Sequence, residues 1–590
     1  MAVTERAGAA PHDGEAPTAP QWGSDVLVEG LQRLGVEHIA INPGASFRGL
    51  HESLTTAGRP AIVETLDEKV AVAIAHGYAK ASNRAMAVGL HDLVGLQSGS
   101  MGIFNAWIDQ APMLILGGSG PADHTRRRPW IDWIHTARLQ SLVARDYLKW
   151  DDQPVSVDAF PESLARAHQI ALAAPQGPTY VAVDALLQET AVEREPSWPS
   201  LATATGTVTC DAAELEAVAD ALAAAARPVI LADYVGRSRA GYEALVELAE
   251  LTSAAVVDLG ARHNFPTGHP SDLTLSRAEV LADADVVLAL DLRDVKWGLS
   301  STDVEHHGWT PLTRPDVTVL SISLQALMHR GFLDLEGHID ARCALTADTA
   351  VALPALVALM RERPAPSAER ARWLRDHRER QQAATPALPP SQAGGGIHVA
   401  RLIAATWEAV RELPAQLAHL GTCPSERFYW ARRLWGLDRY NAYLGRSGGG
   451  GIGYGLGASM GAALAAADER LVVNLQPDGD ALATASALWT AAHHRIPVLM
   501  VMVNNRMYAQ ERLHQSTVAR MRGRGPAQGS SIGVAIDGPP VDFAMLARAQ
   551  GVEAWGPVER EEQLGPALRE AVKVVREERR PALVDVVVGS

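Results

Sequence analysis

The 590-residue sequence contains few cysteines, and the three it has lie far apart, at Cys210, Cys343 and Cys423. None of them forms a closely spaced metal-binding pair, and three isolated thiols do not predict a disulfide framework. A reducing, cytoplasmic environment fits this content. No apolar run reaches the length of a membrane-spanning helix. Basic residues are not in excess either, and the net charge of -15 argues against nonspecific binding to nucleic acid or to an anionic membrane.

The length exceeds what one hydrophobic core can organise, so we expect several domains. Strand-like and helix-like segments alternate after residue 22, which predicts an α/β fold with three doubly wound parallel-sheet domains. Residues 1–21 are rich in Ala, Pro, Gly and charge and predict a disordered leader. The predicted domains span 22–195, 207–361 and 397–590, and a linker spans 362–396. The middle domain is Rossmann-like but has no GxGxxG motif, so a dinucleotide is not supported there.

The most informative stretch lies in the third domain. Two apolar runs, Val472 to Leu475 and Val498 to Val503, predict buried strands, and the Ala-rich segment Ala481 to His494 predicts a crossover helix between them. Such a βαβ unit makes the two strands parallel and adjacent. Asp478 and Asn505 then both follow carboxyl ends of strands, where open α/β sheets bind ligands.

A carboxylate and a carboxamide at one sheet edge suggest a magnesium site. Asp478 and Asn505 offer two oxygen ligands, and a main-chain carbonyl near Met507 offers a third. Mg²⁺ prefers oxygen ligands and commonly takes the remainder from water and substrate phosphates. The alternative is two ordinary βα turns, because Asp-Gly and Asn-Asn are common in loops.

The spacing resembles the thiamine-diphosphate signature, in which Gly-Asp-Gly is followed some two dozen residues later by Asn-Asn. Here Asp478-Gly479 and Asn504-Asn505 match, while Pro477 stands at the first Gly position. A glycine run, Gly448 to Gly451, precedes a predicted helix in the same domain. In that family a bulky aliphatic residue after the glycines supports the bent cofactor, and Ile452 matches it. The cofactor-binding residues implied are Gly450, Gly451, Ile452, Gly453, Asp478, Gly479, Asp480, Asn505 and Tyr508.

A second landmark is the small-residue helix predicted from Glu68 to Ser82. A glutamate in a first helical turn is often there because the helix dipole favours it. The segment also resembles the Glu…Gly-Tyr-Ala helix of the 2-oxoacid decarboxylase and acetolactate synthase group, with Glu68 and Tyr78 in register. The resemblance implies that Glu68 hydrogen-bonds the aminopyrimidine ring of thiamine diphosphate. The first domain would then be the pyrimidine-binding domain and the third the diphosphate-binding domain.

Two histidines extend the resemblance to benzoylformate decarboxylases. The run from Leu90 to Leu114 is similar to that family around its active-site histidine, which corresponds to His91. The FPTGHP segment is similar to a second active-site loop, in which His269 matches. Without the resemblance both would be interpreted as ordinary loop residues. Acetolactate synthases typically have Ser-Gly-Pro-Gly near His91, and this sequence does not.

Other positions leave the substrate open. Glu511 matches a proton-transferring glutamate of pyruvate decarboxylases, whereas benzoylformate decarboxylases have an apolar residue there. Ala45 stands where benzoylformate decarboxylases have serine, and the neighbouring Ser46 is a possible substitute. The Gly421–Ser425 turn is a weak candidate for diphosphate contacts. The basic and aromatic loop from Arg126 to Trp130 is interpreted as a surface loop, with binding of a substrate carboxylate as the alternative.

The resemblance implies a thiamine-diphosphate- and Mg²⁺-dependent decarboxylase of a 2-oxo acid, with possible carboligation to an aldehyde. Glu68, His91, His269 and Glu511 are the expected catalytic residues, and Asp478, Asn505 and Met507 the expected metal ligands. An acetolactate-synthase-like enzyme is an alternative that bound FAD would favour, and a catalytically silent cofactor-binding homologue is another. We expect a homodimer or homotetramer in which Glu68 of one chain faces Asp478 and Asn505 of another.

Overall fold

The computed structural model describes residues 19–200, 206–303, 305, 307–328, 340–391, 396–421, 426–467, 469–525 and 531–589. Most of the predicted leader, and all of the Gly421–Ser425 turn except Gly421, lie outside the described residues. Within the described part of the chain, no helix is both long enough and apolar enough to cross a membrane.

The first sheet lies between residues 38 and 184 and is parallel throughout, with strand order β2-β1-β3-β4-β6-β5. Its strands are β1 (His38–Ile41), β2 (Ala61–Glu64), β3 (Met86–Leu90), β4 (Met113–Ser119), β5 (Trp150–Asp152) and β6 (Pro178–Asp184). The associated helices are α1 (Gly23–Arg33), α2 (Arg48–Ala57), α3 (Glu68–Ser82), α4 (Asp92–Ile108), α5 (Ile131–His135), α6 (Phe160–Leu172) and α7 (Ala185–Gln188). The inner strands β1, β3, β4 and β6 are almost entirely buried, as is typical of parallel sheets, whereas the edge strands β2 and β5 are only partly buried.

The second sheet has the order β13-β12-β9-β7-β8 and is also parallel, with a separate antiparallel hairpin formed by β10 and β11. The strands are β7 (Pro228–Ala232), β8 (Ala255–Asp258), β9 (Val286–Leu290), β10 (Ser300–Asp303), β11 (Gly308–Pro311), β12 (Thr318–Ser323) and β13 (Cys343–Thr346). The helices are α8 (Ala212–Ala224), α9 (Arg239–Thr252), α10 (Arg277–Asp283), α11 (Val295–Leu299) and α12 (Thr349–Arg361).

The predicted linker 362–396 contains a helix, α13 (Ala368–Ala383), which packs against the second sheet region. Arg370 donates hydrogen bonds to the carbonyls of Ala223 and Thr252, and Gln381 donates to that of Asp272. Buried hydrogen bonds of this kind fix the helix, so the middle region extends into the segment that composition alone identified as a linker.

The third sheet is parallel, with the order β14-β15-β16-β18-β17. Its strands are β14 (Ala415–His419), β15 (Leu471–Pro477), β16 (Val498–Asn504), β17 (Glu553–Val558) and β18 (Ala582–Val587). The helices are α14 (Val399–Val410), α15 (Glu426–Leu434), α16 (Gly455–Ala466), α17 (Asp478–Leu482), α18 (Ala487–His493), α19 (Ala509–Met521), α20 (Phe543–Ala549) and α21 (Glu561–Glu577). The predicted α/β fold with three parallel sheets is confirmed.

One predicted helix differs from the structure. The crossover expected from Ala481 to His494 begins at Asp478 and is divided into α17 and α18, with a turn segment, residues 483–486, between them. Within this segment the Thr484 hydroxyl donates a hydrogen bond to the carbonyl of Gly453. Helix α4 contains three glycines, Gly95, Gly99 and Gly102, at which an added Cβ would lie within 3.2 Å of a neighbouring atom.

Helices α3 and α16 join the first and third sheets into one continuous hydrophobic core. They cross so closely that a Cβ atom added to Gly77 would lie 1.9 Å from the Ala458 carbonyl oxygen, and one on Gly461 would lie 1.8 Å from the Ile74 oxygen. Only glycine permits this backbone approach. The contact packs the first and third sheet regions directly against each other.

Candidate active site

Asp478 and Asn505 lie at the carboxyl ends of two adjacent parallel strands, as the sequence predicts. Strand β15 pairs with β16 in a register that places Pro477 opposite Val503, so the residues that follow them are neighbours. Asn505 Oδ1 accepts a hydrogen bond from the Met507 N–H at 3.2 Å. The Met507–Tyr508 backbone is in turn held by the Val534–Ala535 segment, through a bridge and a 2.8 Å hydrogen bond.

The Asp478 carboxylate has the character of a metal ligand. It is buried, and its Oδ1 accepts the Gly479 N–H at 2.8 Å. Its Oδ2 is also buried and accepts no hydrogen bond of normal geometry from the described residues, although the Arg506 and Met507 amides lie near enough to lower its pKa somewhat. Burial is the larger influence and raises the pKa. An unpartnered buried carboxylate oxygen is unfavourable without a cation, so the residues fit a bound Mg²⁺.

Asp480 fixes the glycine loop that leads into α16. Its Oδ1 accepts the Gly453 N–H at 2.7 Å, and its Oδ2 accepts the Gly455 N–H at 3.1 Å and the Gln476 amide at 2.7 Å. Both oxygens are therefore engaged by the protein. Gly453 has a φ of 87°, a backbone conformation that L side chains rarely adopt, and Thr484 lies directly beside it.

The same loop is held from the first sheet region by Asn105 of α4. The Asn105 Oδ1 accepts the Gly451 N–H at 3.2 Å, and its Nδ2 lies 3.5 Å from the Gly451 carbonyl oxygen. Between these two anchors Ile452 remains 43% exposed. A bulky aliphatic side chain presented between glycines fits the support for a bent cofactor that the sequence predicts. The ring of Tyr508 lies over Gly479, where a Cβ would be 2.4 Å from it.

Glu68 begins α3, whose N-cap is provided by the Asp67 side chain accepting the Lys69 N–H. The Glu68 side chain is only 9% exposed. Its Oε1 lies against Gly95, 3.0 Å from where a Cβ of that residue would be. The Gly95 N–H donates to the His91 carbonyl, so the first turn of α4 adjoins both Glu68 and His91.

His91 precedes α4 and contacts Ser46, the possible substitute serine, and His135, which sequence analysis did not place in the predicted site. Its Nδ1 lies 2.8 Å from the Ser46 hydroxyl, and its Nε2 lies 3.3 Å from His135 Nδ1. Burial, with His135 and Arg128 nearby, lowers the pKa of the His91 imidazole. Asp92 is buried at 3.5 Å from His91 Nδ1, and burial raises its pKa to about 6. No sequence signal pointed to His135, because the two histidines are distant in sequence and meet only through the fold.

Arg128 of the predicted surface loop is partly buried rather than solvated. Its guanidinium donates to both oxygens of the buried Asp132 carboxylate, at 2.8 and 3.1 Å, and to the Ala45 carbonyl at 3.3 Å. The loop is thereby attached beside His91. Its aromatic residues Trp130 and Trp133 remain largely exposed.

The other two predicted catalytic residues lie apart from this cluster in one chain. His269 packs against Phe265, approaches Glu250 Oε1 at 3.4 Å and accepts the Ser271 N–H, all within the middle region. Glu511, in the first turn of α19, is 63% exposed and lies 3.6 Å from His514. The structure thus groups Asp478, Asp480, Tyr508 and the glycine loop at one edge, and Glu68 with His91 at another.

Parallel sheets in which Asp478 and Asn505 follow two adjacent strand ends beside a glycine loop are typical of cofactor-dependent α/β enzymes. Residues 21–142 match the N-terminal thiamine pyrophosphate-binding domain of the thiamine pyrophosphate enzymes, and residues 427–586 match their C-terminal thiamine pyrophosphate-binding domain. The chain belongs to this family.

Relatives and a solved structure agree with the assignment over nearly the whole chain. A benzoylformate decarboxylase from Pseudomonas aeruginosa is 26% identical over 94% of this chain and 97% of that protein. Acetolactate synthase 1 from Zea mays is 25% identical over 97% of this chain and 86% of that protein. The solved thiamine diphosphate-dependent 4-hydroxybenzoylformate decarboxylase from Rhodococcus jostii has a TM-score of 0.75 at 22% identity and covers 96% of this chain and 99% of its own. The last comparison establishes the fold.

Proposed function

We propose that the protein is a thiamine-diphosphate- and Mg²⁺-dependent decarboxylase of a 2-oxo acid that resembles benzoylformate decarboxylases. The observation that carries this proposal is the 2.8 Å contact between the Ser46 hydroxyl and His91 Nδ1. Serine and histidine side chains are the groups with which benzoylformate decarboxylases are expected to act on the substrate. Ala45 stands at the position where those enzymes have serine. The fold instead places the next residue, Ser46, within hydrogen-bonding distance of His91.

The cofactor would be held by the features already described. Asp478 Oδ2, Asn505 Oδ1 and the Met507 carbonyl would bind Mg²⁺, which in turn holds the diphosphate. The glycine loop and Tyr508 would line the rest of the cofactor, with Ile452 supporting its bend. When bound, thiamine diphosphate supplies a cationic ring that accepts the electron pair left when the substrate loses CO₂.

The protein side chains have separate tasks in the proposed reaction. Glu68, whose side chain is buried, would hydrogen-bond the pyrimidine ring. The Ser46 hydroxyl and the His91 imidazole would orient the substrate carboxylate and then move a proton at the carbonyl carbon after CO₂ departs. Burial lowers the pKa of the His91 imidazole, which makes its protonated form a stronger acid for delivering a proton to that carbon.

His269 and Glu511 would complete the site from elsewhere in the assembly. We propose a homodimer or homotetramer in which Glu68 and His91 of one chain meet Asp478 and Asn505 of another. Co-expressing a Glu68→Gln chain with an Asp478→Asn chain tests this arrangement. A shared site regains activity, because mixed dimers contain one site with neither substitution, whereas sites built within one chain stay inactive.

The decarboxylase activity itself is tested by CO₂ release from a panel of 2-oxo acids running from pyruvate through branched acids to phenylglyoxylate. We expect release only with thiamine diphosphate and Mg²⁺, best with an apolar substrate side chain, and lost in the Glu68→Gln variant. Tight cofactor binding without release from any acid would contradict the proposal and favour a catalytically silent homologue.

Carboligation is the second candidate, favoured by acetolactate synthases that match 97% of this chain. In that case the donor would pass to a second carbonyl compound rather than leave as an aldehyde. Product analysis with pyruvate alone, and with pyruvate plus an aldehyde, separates the two activities. Formation of a hydroxyketone or acetolactate in place of free aldehyde would establish carboligation, and a requirement for FAD would support the acetolactate synthase alternative.

A further inference from the structure

Three potential metal ligands converge beside the first sheet, away from the proposed magnesium site. His91 and Asp92 lie at the start of α4, and His135 ends the short helix α5. One ligand atom from each of the three residues lies within 4.8 Å of the other two. Two separate segments of the chain supply the group, so the fold rather than local sequence assembles it.

The Asp92 carboxylate carries the strongest indication that a ligand belongs there. It is fully buried, and neither of its oxygens accepts a hydrogen bond of normal geometry within the described part of the chain, although the Gly120 amide is near. The backbone of Asp92 is also in the left-handed region, at a φ of 46°. A desolvated carboxylate needs a compensating charge, and strained residues of this kind concentrate at functional sites.

The nearest cationic side chain does not provide that charge. Arg128 is engaged in its two-pronged contact with Asp132, which neutralises it. Apart from the two histidines, the ionised Asp92, Arg128 and Asp132 side chains therefore carry one net negative charge between them. A cation placed between the two histidines and Asp92 would balance it.

We propose that His91, Asp92 and His135 form a binding site for a divalent transition-type cation such as Zn²⁺. Two imidazoles and one carboxylate suit such ions, whereas Mg²⁺ prefers oxygen ligands alone, so this site differs in selectivity from that of Asp478. The separation of His91 Nδ1 and Asp92 Oδ2 is 3.5 Å. Bonds of about 2.0–2.2 Å to a tetrahedral Zn²⁺ place ligand atoms at about that spacing. His135, half-buried at the end of α5, would supply the third ligand.

A bound cation would inhibit turnover, and this consequence rests on the proposed function. It would bind a nitrogen of the His91 imidazole, the ring that also contacts Ser46, so this imidazole would no longer move a proton. Cation binding itself does not depend on the decarboxylation reaction. The proposed metal site and the proposed function can therefore be refuted independently of each other.

Binding is tested by titrating the full-length, metal-stripped protein with Co²⁺ in the presence of saturating Mg²⁺. We expect one Co²⁺ per chain with the visible absorption of a low-coordinate nitrogen–oxygen site, displaced by Zn²⁺. The His135→Gln variant should lose more than about 100-fold in affinity, since removing even an outer-shell partner of a metal ligand costs 10–100-fold. His124→Gln, an exposed histidine of the same loop, is the matched control and should bind as the wild type does.

Any of three outcomes would overturn the proposal. The protein could bind no Co²⁺ that excess Mg²⁺ fails to displace, or the His135→Gln variant could bind Co²⁺ as tightly as the wild type. The Co²⁺ absorption could also vanish in Asp478→Asn while it persists in His135→Gln.

The inhibition is tested by adding Zn²⁺ to the CO₂-release assay with excess Mg²⁺. Inhibition relative to each variant's own rate should be retained in His124→Gln and lost in His135→Gln. If no 2-oxo acid is decarboxylated, the proposed function fails, and the Co²⁺ titration still decides the metal site.

Discussion

Lys80 Nζ and Asp109 Oδ2 lie 3.0 Å apart, and both side chains are completely buried. The pair connects α3 and the end of α4 to the glycine loop, because Lys80 also donates to the Arg446 carbonyl at 2.8 Å and Asp109 abuts Gly448. His76 lies on the same Asp109 oxygen at 3.0 Å. The ion pair thus links the interior of the first sheet region to the loop expected to hold the cofactor.

Replacing Asp109 by Asn should destabilise the protein by about 3–5 kcal/mol, because the Lys80 ammonium is left buried without its counter-ion. Thermal unfolding measures the loss, and thiamine diphosphate affinity should fall with it as the glycine loop loses its support. Lys573→Met, at an exposed position of α21, is the control and should change neither quantity. Equal thermal stability of Asp109→Asn and wild type would contradict a structural role for the pair.

Asp478→Asn should weaken Mg²⁺-dependent binding of thiamine diphosphate by about 100-fold or more, since the substitution removes the negative charge of the proposed metal ligand. The measurement is the quenching of tryptophan fluorescence by the cofactor at several Mg²⁺ concentrations. The exposed Asp537→Asn in the same domain should bind the cofactor normally. Cofactor binding that is independent of Mg²⁺ in the wild type would exclude the proposed metal ligands.

Gly453→Ala should reduce cofactor affinity by about 10-fold. The backbone conformation at this position costs an L residue roughly 1–2 kcal/mol, and the added Cβ would lie 2.9 Å from the Thr484 methyl group. The loop must shift, and its hydrogen bonds to Asp480 weaken. Gly525→Ala, where the added Cβ meets nothing within 4 Å, provides the matched control. Calorimetric titration with thiamine diphosphate compares the two variants.

His494 should make the protein sensitive to mild acid. Its Nε2 accepts the Glu64 N–H at 2.7 Å, and burial lowers its pKa to about 4, below the 6.5 of an exposed histidine. The unfolded chain therefore binds a proton before the folded one does, and the stabilisation present above pH 6.5 is lost as the pH falls towards 4. We expect a loss of about 1–3 kcal/mol from this group.

The His494→Gln variant should show a smaller fall in thermal stability between pH 6.5 and pH 4 than the wild type. His514→Gln, an exposed histidine in α19, should retain the full pH dependence. Parallel curves for all three proteins would show that the contact between His494 and Glu64 does not contribute to acid sensitivity.

Ser46→Ala should slow the proposed decarboxylation by about 10–100-fold while leaving cofactor binding unchanged, because the hydroxyl contacts His91 and not the glycine loop. His91→Gln should be slower still. The double variant should be no slower than His91→Gln alone, since the two side chains act as one unit. Additive losses in steady-state rate would show that Ser46 and His91 act independently.

The sequence by itself determined the α/β fold class of this protein. The apolar runs at β15 and β16 indicated parallel strands without reference to distant residues. Because Asp478 and Asn505 directly follow these two runs, the sequence placed both residues at the same sheet edge. Small residues in α3 indicated a tightly packed helix. These inferences rest on the spacing of apolar residues and on turn-forming residue types, both of which can be recognised in a short segment alone.

Only the tertiary structure decided how distant segments meet. Thr484, between α17 and α18, contacts the distant Gly453 carbonyl, and the ion pair of Arg128 with Asp132 places a predicted surface loop beside His91. The contact of His91 with His135 likewise has no signature in the linear sequence. Spacing along the chain reports which residues share one element, whereas contacts between elements depend on how whole sheets and helices pack.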